Sequence, residues 1–146
     1  MSHNIRQKLQ GIQSSLKAPK GQTNKFGGYK YRSCEDILTA LKPLLQEWGC
    51  SLVISDEIIE KGNSLFVEST ATLHDTDTID YLSSKGSAKH AEIKKGMDDA
   101  QITGSASSYA RKYALNGLFA IDDTKDPDAV NTHGKSPSQS PEHAGF

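Results

Sequence analysis

Residues 25–32, KFGGYKYR, alternate cationic and aromatic side chains. If 29–32 runs extended, Tyr29 and Tyr31 share one face and Lys30 and Arg32 the other, since successive side chains of a strand point to opposite sides. The cations suit phosphate. The rings suit either a nucleobase, on which stacking contributes about 1–3 kcal/mol whatever the base, or the protein's own core, and both places stay open. Lys25 and Phe26 begin the same segment. A second set lies at 101–113. Ile102, Ala106, Tyr109, Ala110 and Tyr113 fall on one helical stripe, expected to pack on a sheet. Gln101, Gly104, Ser105, Ser108, Arg111 and Lys112 fall on the other side. Small, polar and cationic residues let a sugar-phosphate chain approach closely. They serve equally to receive a neighbouring helix or subunit. Burying either cation unpaired costs several kcal/mol. Arg111 and Lys112 are therefore expected to meet solvent, nucleic acid, or acids such as Glu57, Glu60 and Glu68 across a subunit interface.

Other candidate chemistry is weak. Residues 129–136, AVNTHGKS, have the spacing of a phosphate-binding P-loop, but Ala129 stands in place of its first glycine. No strand precedes the segment and no helix pattern follows, so the backbone nest is not expected to form. Asp122, Asp123, Asp126 and Asp128 lack the glycine and distal glutamate of a calcium loop and read as a solvated acidic run. The five histidines are scattered, and none forms a motif with a nucleophile. Cys34 and Cys50 are too few for a disulfide framework and have no zinc spacing, which fits a reducing compartment. The sequence thus predicts no enzyme activity, no cofactor and no metal.

The net charge of −1 conceals blocks. Residues 1–32 hold Arg6, Lys8, Lys17, Lys20, Lys25, Lys30 and Arg32 and no acid. Residues 33–84 are strongly acidic, and 85–97 turn basic again through Lys85, Lys89, Lys94 and Lys95. Such segregation holds a polyanion locally although the total is near zero. A solvated basic arm is the alternative.

These residues must be positioned by a few elements. The length of 146 residues fits one domain able to bury a core. Ile5, Leu9, Ile12 and Leu16 predict a first helix over 3–17. A Gly- and Lys-rich loop follows. Ser33 and Asp36 form a capping-box start for a second helix with Ile37, Leu38, Leu41, Leu45 and Trp48 on its apolar face. Pro43 is expected to kink or break it, and Gly49 to end it. Strands are expected over 50–60 and 64–74, joined by a turn at 61–63, and a polar, edge-like strand over 78–88. On the second of these, Leu65, Val67, Ala71 and Leu73 face one way and Glu68, Thr70, Thr72 and His74 the other. Residues 86–96 read as a basic loop. A last helix begins at Asp98 and Asp99 and is expected to stop at Gly117. The domain is expected over 1–126, with a disordered Pro/Ser-rich tail over 127–146. No signal peptide and no run of roughly 18 apolar residues occurs, so a soluble, cytoplasmic protein without membrane contact is expected.

Two segments carry a resemblance. NKFGGYKYRSCEDIL (24–38) with LKPLL (41–45), and KKGMDDAQITGSASSYARKYALNGLFAIDDTKD (94–126), resemble the opening and closing signatures of the ERF (essential recombination function) family. Members are phage single-strand DNA annealing proteins, and the likeness covers about 3–128. It implies an α+β fold: N-terminal helices, then a curved three-stranded antiparallel β-sheet backed by a long C-terminal helix, as in ring-forming annealing proteins. It implies ATP-independent single-stranded DNA binding and annealing in homologous recombination by a homo-oligomeric ring or filament. It also implies a phage or prophage origin in a bacterial host, with a single-strand binding protein or a phage exonuclease as further partners. Together with the patterns above, it directs attention to Lys25, Phe26, Tyr29, Lys30, Tyr31, Arg32, Lys85, Lys94, Lys95, Ser108, Arg111 and Lys112 as DNA-binding residues. Family members often continue into a second region thought to contact other proteins, and here only about twenty residues follow the likeness.

Overall fold

The computed structural model of the chain describes residues 2–24, 27–91 and 98–121, with Tyr29 described by its backbone alone. The expected boundary at 126, the tail, the AVNTHGKS segment and the aspartates from 122 onward lie outside the described residues. Within them the chain runs α1 (Ile5–Ser15), β1 (Gln22–Asn24), β2 (Tyr29–Tyr31), α2 (Cys34–Trp48), β3 (Cys50–Lys61), β4 (Ser64–Asp75), β5 (Tyr81–His90) and α3 (Asp99–Phe119). It is the expected α+β arrangement: a three-stranded antiparallel sheet in the order β3-β4-β5, with helices beside it.

Each helix starts where its sequence supplies a cap. Asn4 with Gln7, Ser33 with Asp36, and Asp98 with Gln101 form reciprocal capping boxes. In each, two backbone donors left open by the helix start are satisfied. α2 runs through Pro43 as one helix, so of the expected kink or break the break does not occur. The missing donor costs one bond to Thr39, and both residues are exposed. The buried face of Ile37 and Leu41 continues past that point. Gly49 closes the helix at φ 67°, in the left-handed region where glycine carries no side-chain strain.

β5 corrects two expectations. It spans 81–90 rather than 78–88, so Gly86 to His90 belong to the strand and not to a loop. Its pairing with β4, from His74 opposite Tyr81 to Leu65 opposite His90, satisfies the backbone of this polar segment. It is also a sheet edge, as its composition implies. On β4, Val67, Ala71 and Leu73 are buried as expected, while Leu65 is exposed.

α3 lies across the sheet at close range. A Cβ on Gly86 would sit 2.4 Å from the Ala114 nitrogen and 2.6 Å from the Ala110 carbonyl oxygen. Gly117 makes a looser approach, to a side chain: the Ser84 Oγ would be 2.9 Å from an added Cβ. Gly117 is therefore a contact inside the helix and not its stop. The helix continues to the buried Leu118 and Phe119, and Ala120 caps it at φ 53°.

The core joins Ile12, Ile37, Leu41, Ala71, Leu73, Leu115 and Phe119 between the helices and one face of the sheet. Beside it, Lys8 of α1 reaches the end of β4. Its Nζ donates to Asp75 at 2.8 Å and to Asp77 at 3.0 Å, while Thr76 donates to the Gly49 carbonyl at 2.8 Å. This knot joins α1, the end of α2 and the β4–β5 turn.

Replacing Gly86 with Ala should lower stability by about 1–3 kcal/mol, the usual scale of overpacking, because the obstructing atoms are largely backbone. Gly104, whose added Cβ would meet nothing within 4 Å, should gain up to about 1 kcal/mol as Ala through helix propensity alone. Chemical denaturation of the two variants checks both signs.

Stability should also carry the signature of the Lys8 knot. The hydrogen bond from Lys8 holds the Asp75 carboxyl below its ordinary range, and the bonds to Asp75 and Asp77 raise the Lys8 ammonium. Asp75 therefore contributes fully above about pH 4, the unfolded value, and loses its contribution as pH falls through the lower folded value. Lys8 contributes below about pH 10.4 and loses its contribution as pH rises through the higher folded value. Replacing Asp75 with Asn should flatten the acid limb of a melting-temperature profile. An unchanged limb would show that the pair does not couple to folding.

Candidate nucleic-acid interface

The basic N-terminal block does not form one outward-facing surface. Lys8 is 5% exposed and held by Asp75 and Asp77. Arg32, half-buried, donates from Nε to the Ala18 carbonyl and so pins the loop after α1. Lys30, two residues earlier and within β2, is exposed. β2 pairs with β1, Gln22 opposite Tyr31, in a small hairpin formed by the loop read from the sequence.

Tyr31 projects from this hairpin toward α3. Together they border a cleft of about 440 Å³ whose hairpin and α2 sides carry Gln22, Tyr31, Arg32 and Glu35. The α3 side carries Ser105, Ser108, Tyr109 and Lys112. Lys112 corrects the amphipathic reading of α3, since it is 3% exposed rather than on a solvent face. Its ammonium lies 6.0 Å from the centre of the Tyr31 ring and 5.9 Å from that of Tyr109, within cation–π range of both.

The tyrosines are displaced the other way. Tyr109 and Tyr113, assigned by sequence to the sheet-packing stripe, are 41% and 37% exposed, with ring centroids 6.4 Å apart. The stripe that packs is Ile102, Ala106, Ala110 and Ala114, all small but the first, because the helix backbone lies so close to β5. A large side chain does not fit at that distance.

Arg111 is the next residue but faces the sheet edge. Its Nε is 3.2 Å from both Asp56 oxygens and its guanidinium nitrogen 3.1 Å from one of them. The same carboxylate accepts from Ser69 at 2.6 Å and Ser107 at 2.5 Å. Burial acts to raise the Asp56 pKa, but these hydrogen bonds outweigh it and hold the group below the ordinary carboxylate range. Asp56 is thus an acid partner of Arg111 within the chain. Asp56 gave no signal of this in sequence, since it is one acid within an acidic block.

Tyr31, Arg32, Ser108 and Lys112 therefore meet in one cleft, whereas Lys30, the strand neighbour of Tyr31, is not among its lining residues. Lys85 does not join them. Gly86 faces α3, so Lys85 points to the opposite face of the sheet, 3.6 Å from Glu68. Lys25, Phe26, Lys94, Lys95 and the Tyr29 side chain lie outside the described residues. Sequence reasoning missed Tyr109 as a cleft wall, and also Gln22 and Glu35. No group of His, Cys, Asp or Glu among the described residues is placed to hold a metal ion. None of their helices is long and apolar enough to cross a membrane.

These elements define a small sheet-and-helix module with an open cleft walled by tyrosines and cations. The chain belongs to the ERF superfamily, whose sequence profile matches residues 5–144. It is 56% identical over 128 residues to the essential recombination function protein of Salmonella phage P22, an alignment covering 88% of this chain and 60% of that protein. The chain thus spans about three fifths of the relative's length. No solved structure matches it.

The Asp56–Arg111 pair should be energetically coupled. Asp56→Asn and Arg111→Gln should each destabilise, and the double variant should lose less than their sum. Contacting residues typically couple by about 0.5–3 kcal/mol, and partial exposure of Arg111 places this pair toward the low end. Strict additivity in urea unfolding would mean that the pair adds nothing to helix–sheet docking.

Proposed function

We propose that this protein binds single-stranded DNA at the hairpin–α3 cleft and promotes pairing of complementary strands without ATP, in homologous recombination. The observation that carries the reading is the convergence of Tyr31 and Arg32 from the hairpin segment with Ser108, Tyr109 and Lys112 from α3 on one cleft, and Lys30 is exposed on the same hairpin. Cations neutralise phosphate, and tyrosines stack on bases without regard to sequence. The name of the P22 relative supplies the recombination context.

The chemistry required is modest. Pairing is already downhill, since stacking contributes about 1.4 kcal/mol per base-pair step. What slows it is phosphate repulsion and secondary structure within each strand. A protein that neutralises backbones and holds bases apart from their own strand removes both obstacles. Assembly of many subunits multiplies weak contacts through high effective concentration. The outer edges of β3 and β5 have no strand partner among the described residues, and open edges invite pairing with another chain. A homo-oligomer is accordingly part of the proposal. Lys85 on the far face, and Lys25, Phe26, Tyr29, Lys94 and Lys95, are proposed as accessory contacts. Arg111 is proposed to contribute through whatever part of its guanidinium Asp56 leaves accessible.

Affinity for oligonucleotides of unrelated sequence should be similar and should fall steeply with salt, with a log–log slope of about −0.7 per phosphate neutralised. Complementary oligonucleotides should pair faster with the protein than without it, in the absence of ATP. A flat salt response would overturn backbone binding, and binding that slows pairing would identify a strand protector instead. Light scattering should give many subunits, and a monomer both alone and with DNA would overturn the assembly.

A further inference from the structure

We infer that the hairpin–α3 cleft seats one unstacked nucleotide, with its base against Tyr31 or Tyr109 and its phosphate at Lys112, and so distinguishes single strands from duplex. The inference deepens the function proposed above and rests on it. That function requires only a cationic track along a backbone, whereas the geometry is that of a pocket.

Two features separate a pocket from a track. Lys112 is 3% exposed, so its ammonium reaches only a group that enters the cleft, not a phosphate passing over the surface. The charges on the walls are also mixed. Arg32 and Lys112 are cationic, while Glu35 and Gln22 line the same space. A carboxylate there opposes a second phosphate but tolerates a base edge, whose amino groups are donors. One phosphate and one base therefore satisfy the walls better than two phosphates.

Size and shape agree. A volume of about 440 Å³ falls toward the low end of the roughly 300–1,000 Å³ found for small-molecule sites. The ammonium lies at nearly equal distance from two tyrosine rings. A base entering beside either ring is therefore stacked and near the cation at once. Ser105 and Ser108 add hydroxyls on the α3 wall, each able to donate to a phosphate oxygen.

A consequence follows for selectivity. A base in a duplex is stacked and paired, and extruding it costs a few kcal/mol, whereas a base in a single strand is already free. Duplex is excluded from the cleft by that difference and not by charge, since it carries the denser phosphate array. The seated base must also leave before its strand pairs there, so the pocket releases the strand as annealing proceeds.

The test compares an ordinary oligonucleotide, an abasic oligonucleotide of the same length and a duplex, at one salt concentration, with the intact chain. The wild type should prefer the ordinary strand to the abasic strand by about 5- to 150-fold, the range corresponding to stacking of one base. Tyr109→Leu, at a partly exposed position, or Tyr31→Leu should reduce that preference while leaving the salt slope unchanged. Lys112→Met keeps the length of the buried side chain and removes its charge. It should weaken binding to both single strands and narrow the gap between single strand and duplex. Circular dichroism verifies that each variant is folded, and the tyrosine variants carry the test if Lys112→Met is not. Equal binding of abasic and ordinary strands by the wild type would overturn the pocket while leaving backbone binding intact. Folded Tyr109→Leu and Tyr31→Leu variants that both retained the full preference would do the same. Failure of the wild type to bind any single strand would overturn the proposed function and the pocket together.

Discussion

At Gly86 the backbone of α3 rests nearly on the backbone of β5, with Ala110 and Ala114 where larger side chains would lift it away. Interiors close-packed to this degree do not absorb an added methylene without moving something. Much of the remaining arrangement follows from that approach. Because the helix is so close, its sheet-facing side is restricted to small residues, and its bulky residues, Tyr109 and Tyr113, stand at the flank and partly in solvent. Ser107 comes within reach of Asp56, and Arg111 follows it. Lys112 is carried toward the hairpin, where Tyr31 and Tyr109 flank it. The cleft is in this sense a by-product of helix–sheet packing.

The distribution of charge follows the same logic. A block of basic residues along the sequence gives no common surface until the fold sorts it. Lys8 closes the knot at the end of the sheet, Arg32 holds the loop after α1, and Lys30 alone of these three is exposed. Arg111 and Lys112, adjacent in sequence, point to different neighbours because consecutive helical residues differ by about 100°. Of the cations that the sequence assigns to α3, Lys112 is thereby drawn inward and Arg111 is paired with Asp56.

Helix starts, the hairpin turn between β3 and β4, the alternation along β4 and the edge character of β5 are legible in the sequence. Each depends on residues within a few positions of one another: a capping pair, a glycine turn, a period of two. The family was legible for a related reason, because long stretches such as 24–38 and 94–126 carry many constraints at once. Three local signals misled. Pro43 removes one bond at an exposed position, and the buried face of α2 outweighs it. Gly86 and Gly117 carry loop or stop signals when read locally, yet both are sites of close approach.

Ile102, Ala106 and Ala110 were legible as the sheet-facing side of α3, but the exclusion of Tyr109 and Tyr113 from it was decided only by tertiary structure. The helix is rich in Ala, Ser and Gly, so its apolar periodicity is faint, and two tyrosines outweigh three alanines in any reading by hydrophobicity. What places Ala106, Ala110 and Ala114 inside is distance to another backbone, a quantity that a single helix does not encode. The same holds for the cleft and for Asp56. The sequence by itself determined that tyrosines and cations would be present in the segment before α2, and serines and cations on the last helix. Their convergence arises from contacts between segments far apart in the chain, and such contacts leave no spacing to read.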